Sequence, residues 1–171
     1  MTAPLLRLSA ALSLLLGGAI FGFFYAWVCS TMWGLDAADP RTAISAMQAM
    51  NSSVRNAVFA PAFFATPAVM GLTALLAWTT GLRAAALAFA AAALTYLFGG
   101  LLLTGTVNVP MNRALGAIDV PADIAEARAI WTAYSSRWQF WNIVRTVFSG
   151  VALLATGLGI YLLAPAGTVR T

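Results

Sequence analysis

The chain alternates long apolar runs with shorter polar stretches, and its charged residues mark the boundaries. No charge lies between Arg7 and Asp36, between Arg55 and Arg83, between Arg83 and Arg113, or between Arg145 and Arg170. Each interval is rich in Leu, Ala, Phe and Val and exceeds the roughly 20 residues needed to cross the hydrocarbon core of a bilayer. One such run could be a buried core helix, but four in 171 residues leave too little chain to cover them. The pattern predicts four membrane spans, near Leu8–Met32, Ala57–Thr80, Ala84–Val107 and Trp141–Ala164. The expected fold is all-α, one domain over residues 1–171, built as a four-helix transmembrane bundle. The first run follows Arg7 as a secretory signal would. It is too long for a signal core, and Ala26-Trp27-Val28-Cys29 is a poor processing site, so it is read as a retained helix.

The connections run long, short, long: Gly34 to Asn56, the tight turn Thr80-Gly81-Leu82-Arg83, and Asn108 to Phe140. An even number of spans puts the termini and the tight turn on one membrane face and both long connections on the other. Each long connection carries the signal of an amphipathic helix. Asp39-Pro40 is an N-cap followed by proline at the first helical position, where its missing N–H costs nothing. Ile44, Met47, Met50 and Val54 then recur at helical spacing, with Gln48, Asn51 and Arg55 on another face. The second connection has Asp119 and Pro121, then Ile124 to Trp131, with no stop signal before the fourth span; one continuous helix is expected there. Gly18-x-x-x-Gly22 permits close helix approach. Pro61 and Pro67 are expected to kink the second span, and the carbonyls they free need partners from neighbouring helices.

Composition adds the solvent. The chain is 61% apolar and 8% charged, against roughly 25% charged in soluble domains. Lipid must therefore solvate the outer helix faces. A pI near 10 could suggest nucleic acid, but nine arginines scattered along the chain without a recognition motif exclude it. There is no histidine and one cysteine, Cys29, read as a packing residue; haem, zinc, copper and thiol chemistry lack their usual ligands. No acid lies within a span, which argues against a proton relay or Na⁺ coupling. No glycine-rich phosphate loop is present. No cofactor or metal is expected. More arginines lie on the long-connection face, which alone would make it cytoplasmic. Several of them look like site residues and all five acids share that face, so the termini are placed in the cytoplasm instead.

Two polar segments then stand out: Asn108-Val-Pro-Met-Asn112-Arg113 at the end of the third span, and the run from Trp131 to Thr146 that enters the fourth. On a helix, Trp131, Trp138, Asn142, Arg145 and Ser149 share one face. Arg137 and Trp141, four apart, form an adjacent stripe where guanidinium could stack on indole. If hydrocarbon begins near Trp141, Arg145 lies roughly 6 Å deeper. An arginine at the membrane centre costs about 2.5–3.5 kcal/mol, and less near the interface, so Arg145 should face the bundle and find partners. Asn108, Asn112, Gln48 and Asn51 are the candidates. Boundary tryptophans as ordinary belt residues, with a snorkelling arginine, form the competing explanation.

Four segments resemble the DUF1772, or anthrone oxygenase-like, family: Gly22-Phe-Phe-Tyr25-Ala-Trp27, Ala46-Met-Gln48-Ala-Met-Asn51, Asn108-Val-Pro-Met-Asn112, and Arg137-Trp138-x-x-Trp141-Asn142-x-x-Arg145-Thr146. The likeness covers about residues 15 to 160. It implies a small four-span membrane protein whose characterised fungal relatives oxidise anthrones to anthraquinones with O₂ and no recognised metal or flavin. On that resemblance Arg145, Asn142, Asn108 and Asn112 would be catalytic. Trp138, Trp141, Trp131, Tyr134, Gln48, Asn51 and Arg137 would bind the substrate, a hydrophobic aromatic small molecule. The alternatives left open are a non-catalytic membrane protein that binds a lipid or aromatic ligand or stabilises a partner, and a small transporter. The last would require a homo-oligomer, which the chain allows.

Overall fold

The structure, a computed structural model, describes residues 2–163; Met1, the Ala164 expected to close the fourth span, and Arg170 lie outside the described residues. Among the described residues five helices follow one another: α1 (Ala3–Ala37), α2 (Pro40–Ser53), α3 (Phe59–Thr79), α4 (Arg83–Gly116) and α5 (Ile124–Tyr161). All but α2 are long and apolar enough to cross a bilayer, so this is a multi-pass membrane protein. The spans pack in a ring, α1 against α3, α3 against α4, α4 against α5, and α5 back against α1.

Near the tight turn the ring closes on small residues. Ala77, Ala85, Ala86 and Ala92 are buried, and the hydroxyls of Ser9 and Ser13 hydrogen-bond that of Thr73 across α1 and α3. Small side chains let backbones approach, which is how membrane helices gain packing without a hydrophobic drive. Gly81 makes the turn with φ of 81°, a conformation open to glycine and strained for other residues. Among the described residues the closest approach made by a glycine is not at Gly18 or Gly22, where an added Cβ would meet nothing within 4 Å. It is at Gly99, where a Cβ would lie 2.0 Å from Cγ of Phe148 on α5.

Pro67 interrupts α3 and leaves the Phe63 carbonyl without its helical donor; Tyr96 of α4 supplies one, its hydroxyl donating at 3.0 Å. Pro61 makes no such break. It sits in the first turn of α3, where no amide is due to donate within the helix.

On the opposite face α2 caps the bundle. Asp39 starts it as expected, its carboxylate accepting from the Arg41 amide at 2.9 Å and from the Arg41 guanidinium at 2.8 Å. That side-chain pairing lowers the Asp39 pKa from 3.8 to about 2 and raises that of Arg41. At α5 the cap is Asp123, accepting from the Glu126 amide at 2.8 Å; Asp119 and Pro121 stay in the non-helical connection. The helix then runs 38 residues without a break, about 57 Å at 1.5 Å per residue. A hydrocarbon core of about 30 Å holds roughly half of that. The rest packs Trp131, Tyr134 and Trp138 against Ile44 and Met47 of α2, Met32 of α1 and Leu115 of α4.

Candidate functional site

Beneath that cap lies a cavity of about 520 Å³, within the range of small-molecule sites. Its walls are mainly aromatic and aliphatic: Phe23, Phe24 and Trp27 from α1, Met50 from α2 and Val54 just past its end, Phe59, Phe63 and Phe64 from α3, Val109 from α4 and Trp138 from α5. Its few polar groups are Asn51, Arg55, Asn56, Thr104, Asn112 and Arg145. Two of the helices leave α geometry at this level. α1 widens to a π turn at Trp27–Thr31, and α4 does so at Leu97–Leu102 and Thr104–Asn108. Each inserted residue rotates the remainder of its helix about the axis, a device frequent at functional sites. Here it sets Trp27 and Thr104 into the cavity wall.

Arg145 is the chemical centre. It is 5% exposed, and the only ion pair among the described residues is Arg41 with Asp39. Its Nε donates to Asn142 Oδ1 at 2.9 Å and its Nη1 to Thr104 Oγ1 at 3.3 Å. The guanidinium carbon stands 4.3 Å from the ring centre of Phe24 and 5.0 Å from that of Trp138. Desolvated cation–π contacts reach about 2 kcal/mol each, enough to offset an insertion penalty of about 2.5–3.5 kcal/mol. The cation is therefore held by neutral partners, and its charge stays available to an anion in the cavity. Asn142 is itself fixed by donating to the Phe24 carbonyl at 3.2 Å.

Of the partners expected for Arg145 from the sequence, none hydrogen-bonds it. Asn112 is the hub of a separate relay. Its Oδ1 accepts from Tyr134 Oη and Trp138 Nε1, both at 2.9 Å, and its Nδ2 donates to Asn51 Oδ1 at 2.9 Å. Gln48 closes the end of α4 by donating to the Leu115 and Ile118 carbonyls at 2.9 and 2.8 Å, and lies outside the cavity. Asn108 is fully buried and both its side-chain polar atoms lack a partner. The Asn51 amide nitrogen lacks one too. Leaving such atoms unpaired costs about 1–3 kcal/mol each.

The five residues placed on one face of the last helix, α5, are all buried. Trp131 nevertheless turns away from the cavity, its indole donating to Asp36 at 2.9 Å. Trp141 packs edge-on to Phe140, and Arg137 is exposed. The expected stack of Arg137 on Trp141 does not form; the guanidinium–aromatic pairs among the described residues belong to Arg145 and to Arg83. Reading the sequence missed Phe24, Thr104 and Asp36. The Asp36 carboxylate takes three donors from α5, Trp131, Ser135 and Gln139, and ties the end of α1 to it. An acid following a 28-residue stretch without charge was the available signal. Among the described residues no three imidazole, thiol or carboxylate groups converge as a metal site would require.

Fold and cavity together define a four-span membrane protein with an aromatic pocket headed by a buried arginine. The chain belongs to the anthrone oxygenase family, whose pattern it matches over residues 50–155. That region holds Asn51, Asn108, Asn112 and the α5 residues from Trp131 to Arg145, and excludes α1 with its Phe24 and Trp27. The match is shorter than the likeness over about residues 15 to 160 read from the sequence. Neither a curated protein nor a solved structure matches the chain significantly.

Proposed function

We propose that the protein oxidises a flat hydrophobic aromatic of the anthrone type to the corresponding quinone, using O₂ and no cofactor. The observation that carries this reading is Arg145, a buried cation without an acid partner among the described residues, set in the wall of an aromatic cavity. An anthrone is a ketone whose opposite ring carbon carries acidic hydrogens. Loss of one of them gives an enolate, and a fixed cation at the enolate oxygen favours that loss by stabilising the charge as it develops. The electron-rich carbon then passes an electron to O₂ and combines with the reduced oxygen, forming a hydroperoxide. Loss of water from the hydroperoxide leaves the second carbonyl. One oxygen atom of O₂ enters the product and the other leaves as water. The substrate supplies every electron, so no external reductant is needed.

In this scheme Arg145 pairs with the enolate oxygen, and Asn142 and Thr104 hold the guanidinium in place. Trp138, Phe24 and Phe63 give the slot its flat walls. Asn112 fixes the Trp138 indole, and Asn108 and Asn51 keep unpaired polar atoms beside the site. Tyr134 or a water carries the proton. Trp131, Trp141, Gln48 and Arg137 act at a distance, by holding or flanking the cap. The termini face the cytoplasm. The test is O₂ uptake and quinone formation by membranes containing the protein, against the spontaneous oxidation in empty membranes. An excess that depends on Arg145 supports the reading. No excess moves the protein to a ligand-binding role.

A further inference from the structure

A second cavity of about 510 Å³ lies against the first, in the crevice between α1 and α3. The two share Phe23, Trp27, Met50, Val54, Asn56 and Phe59. Beyond these the second is lined by Ala19, Ile20 and Ala62 at membrane depth, with Ser53 and Val58 above. Ala19 is exposed on the outer face of α1, so the crevice opens sideways to lipid. Phe23 and Phe59, ring centres 4.8 Å apart and 49° from parallel, line both cavities and are the ring pair that joins α1 to α3 there.

The ties between α1 and α3 are uneven. At the tight-turn end the hydroxyls of Ser9 and Ser13 bond that of Thr73. At the cavity end no side-chain hydrogen bond joins them among the described residues, and the contact is aromatic ring on ring. The other neighbour of α3 is held more firmly, since Tyr96 of α4 donates to the Phe63 carbonyl and packs against the Phe63 ring. Above, residues 54–58 join α2 to α3 without regular helix, and the Asn56 side chain braces this bend within itself, donating to the Ser53 carbonyl at 2.7 Å and accepting from the Val58 and Phe59 amides at 2.9 Å, with no bond to α1. The weak seam of the site is therefore the one facing the second cavity. Parting it costs ring rotations and a small splay about the Ser9–Thr73 end, with no side-chain hydrogen bond between α1 and α3 to break at the cavity end.

We propose that this second cavity is the membrane-side entrance to the site, through which the substrate passes from the bilayer between α1 and α3, with Phe23 and Phe59 as the gate. The inference rests on the proposed function for the identity of its occupant, a flat uncharged aromatic. Such a molecule partitions into lipid, whereas the water-side rim of the first cavity carries the exposed polar residues Arg55 and Asn56, which favour a neutral apolar ring less than lipid does. The seam admits the ring edgewise, carbonyl first, towards Arg145.

Ala19 and Ala62 line the second cavity and not the first, so enlarging either obstructs the passage without touching the site. The measurement is stopped-flow quenching of tryptophan fluorescence by anthraquinone, with the full chain in phosphatidylcholine nanodiscs. Ala62→Phe and Ala19→Phe should slow association and dissociation together, by about tenfold, with Kd unchanged. A passage affects both directions equally, whereas a ligand contact changes Kd. Ala19 faces outward, so its replacement keeps the test valid should Ala62→Phe fail to fold. Rates equal to wild type in Ala19→Phe, or a raised Kd at an unchanged association rate, overturn the entrance. Anthraquinone binding needs no turnover. Slowed exchange in a protein that does not oxidise anthrone therefore refutes the oxygenase reading alone, and normal exchange in one that does refutes the entrance alone.

Discussion

The end of the bundle near the tight turn and the end beneath α2 are built from the same four spans and packed by opposite means. Near the turn the buried residues are mainly alanine, serine, threonine and glycine, and Gly159 leaves room for Phe89, whose Cε2 an added Cβ would meet at 2.8 Å. Beneath α2 large side chains predominate, phenylalanine, tryptophan and tyrosine with methionine, isoleucine and leucine, and cavities of about 520 and 510 Å³ lie beside them. Every buried side-chain atom without a partner among the described residues, on Asn51 and Asn108, lies at this second end. Small side chains let the helices close and leave nothing for a ligand. Large flat ones hold the helices apart, and a space too wide to collapse persists. Close packing and open space are thus separated along the membrane normal, which should give the two ends distinct responses to substitution.

The largest effect is expected at the open end. Arg145→Gln should lower anthrone oxidation about 10²–10³-fold, the range seen when one charge-stabilising donor is removed. The protein should still enter membranes and melt cooperatively. A collapse of expression would instead make Arg145 a structural tie between α4 and α5. Asn112→Leu comes next. It strips the acceptor from Tyr134 and Trp138 at once, each orphaned donor costing about 1–3 kcal/mol. Thermal unfolding in detergent should drop, with a shift in tryptophan emission as Trp138 loosens; an unchanged melting curve would mean the relay is not a unit.

At the closed end the expectation is reversed. Gly159→Ala forces a methyl against the fully buried Phe89 and should cost about 1–3 kcal/mol of stability, read from unfolding midpoints. Oxidation per folded molecule should be unchanged, and a matching loss of turnover would dissolve the distinction between the ends. The smallest effect concerns the cap. The folded pKa of Asp39 is depressed, from 3.8 to about 2. Its contribution is therefore complete above 3.8 and fades as pH falls towards 2. Asp39→Asn should remove that acid sensitivity of α2, detectable as amide exchange at Arg41 and Ala43, while leaving the spans alone.

Four spans, the tight turn at Gly81, the cap at Asp39 and the unbroken α5 were legible in the sequence because each depends on local chemistry. Charge-free runs, a glycine, an N-cap before proline and the lack of a stop signal act over a few neighbouring residues. The burial of Trp138, Asn142 and Arg145 was legible for the same reason, since one helix face carries all three. Their partners were not. Arg145 was expected to meet Asn108, Asn112, Gln48 or Asn51, residues at the right depth, and it bonds Asn142 and Thr104 instead. Depth comes from counting residues along a helix, but azimuth around the bundle depends on how helices rotate against each other. The π turns at Trp27–Thr31 and Thr104–Asn108 add rotations that no residue pattern announces.

The sequence by itself thus determined that this chain spans a membrane four times and which face of its last helix turns inward, because lipid penalises exposed polar groups wherever they fall. Tertiary structure alone decided that Phe24, 118 residues from Asn142 along the chain, would face Arg145, and that Asn112 would serve Trp138 rather than the cation. Contacts between distant segments depend on the relative rotation of whole helices, which is settled only when all the side chains of the ring pack at once.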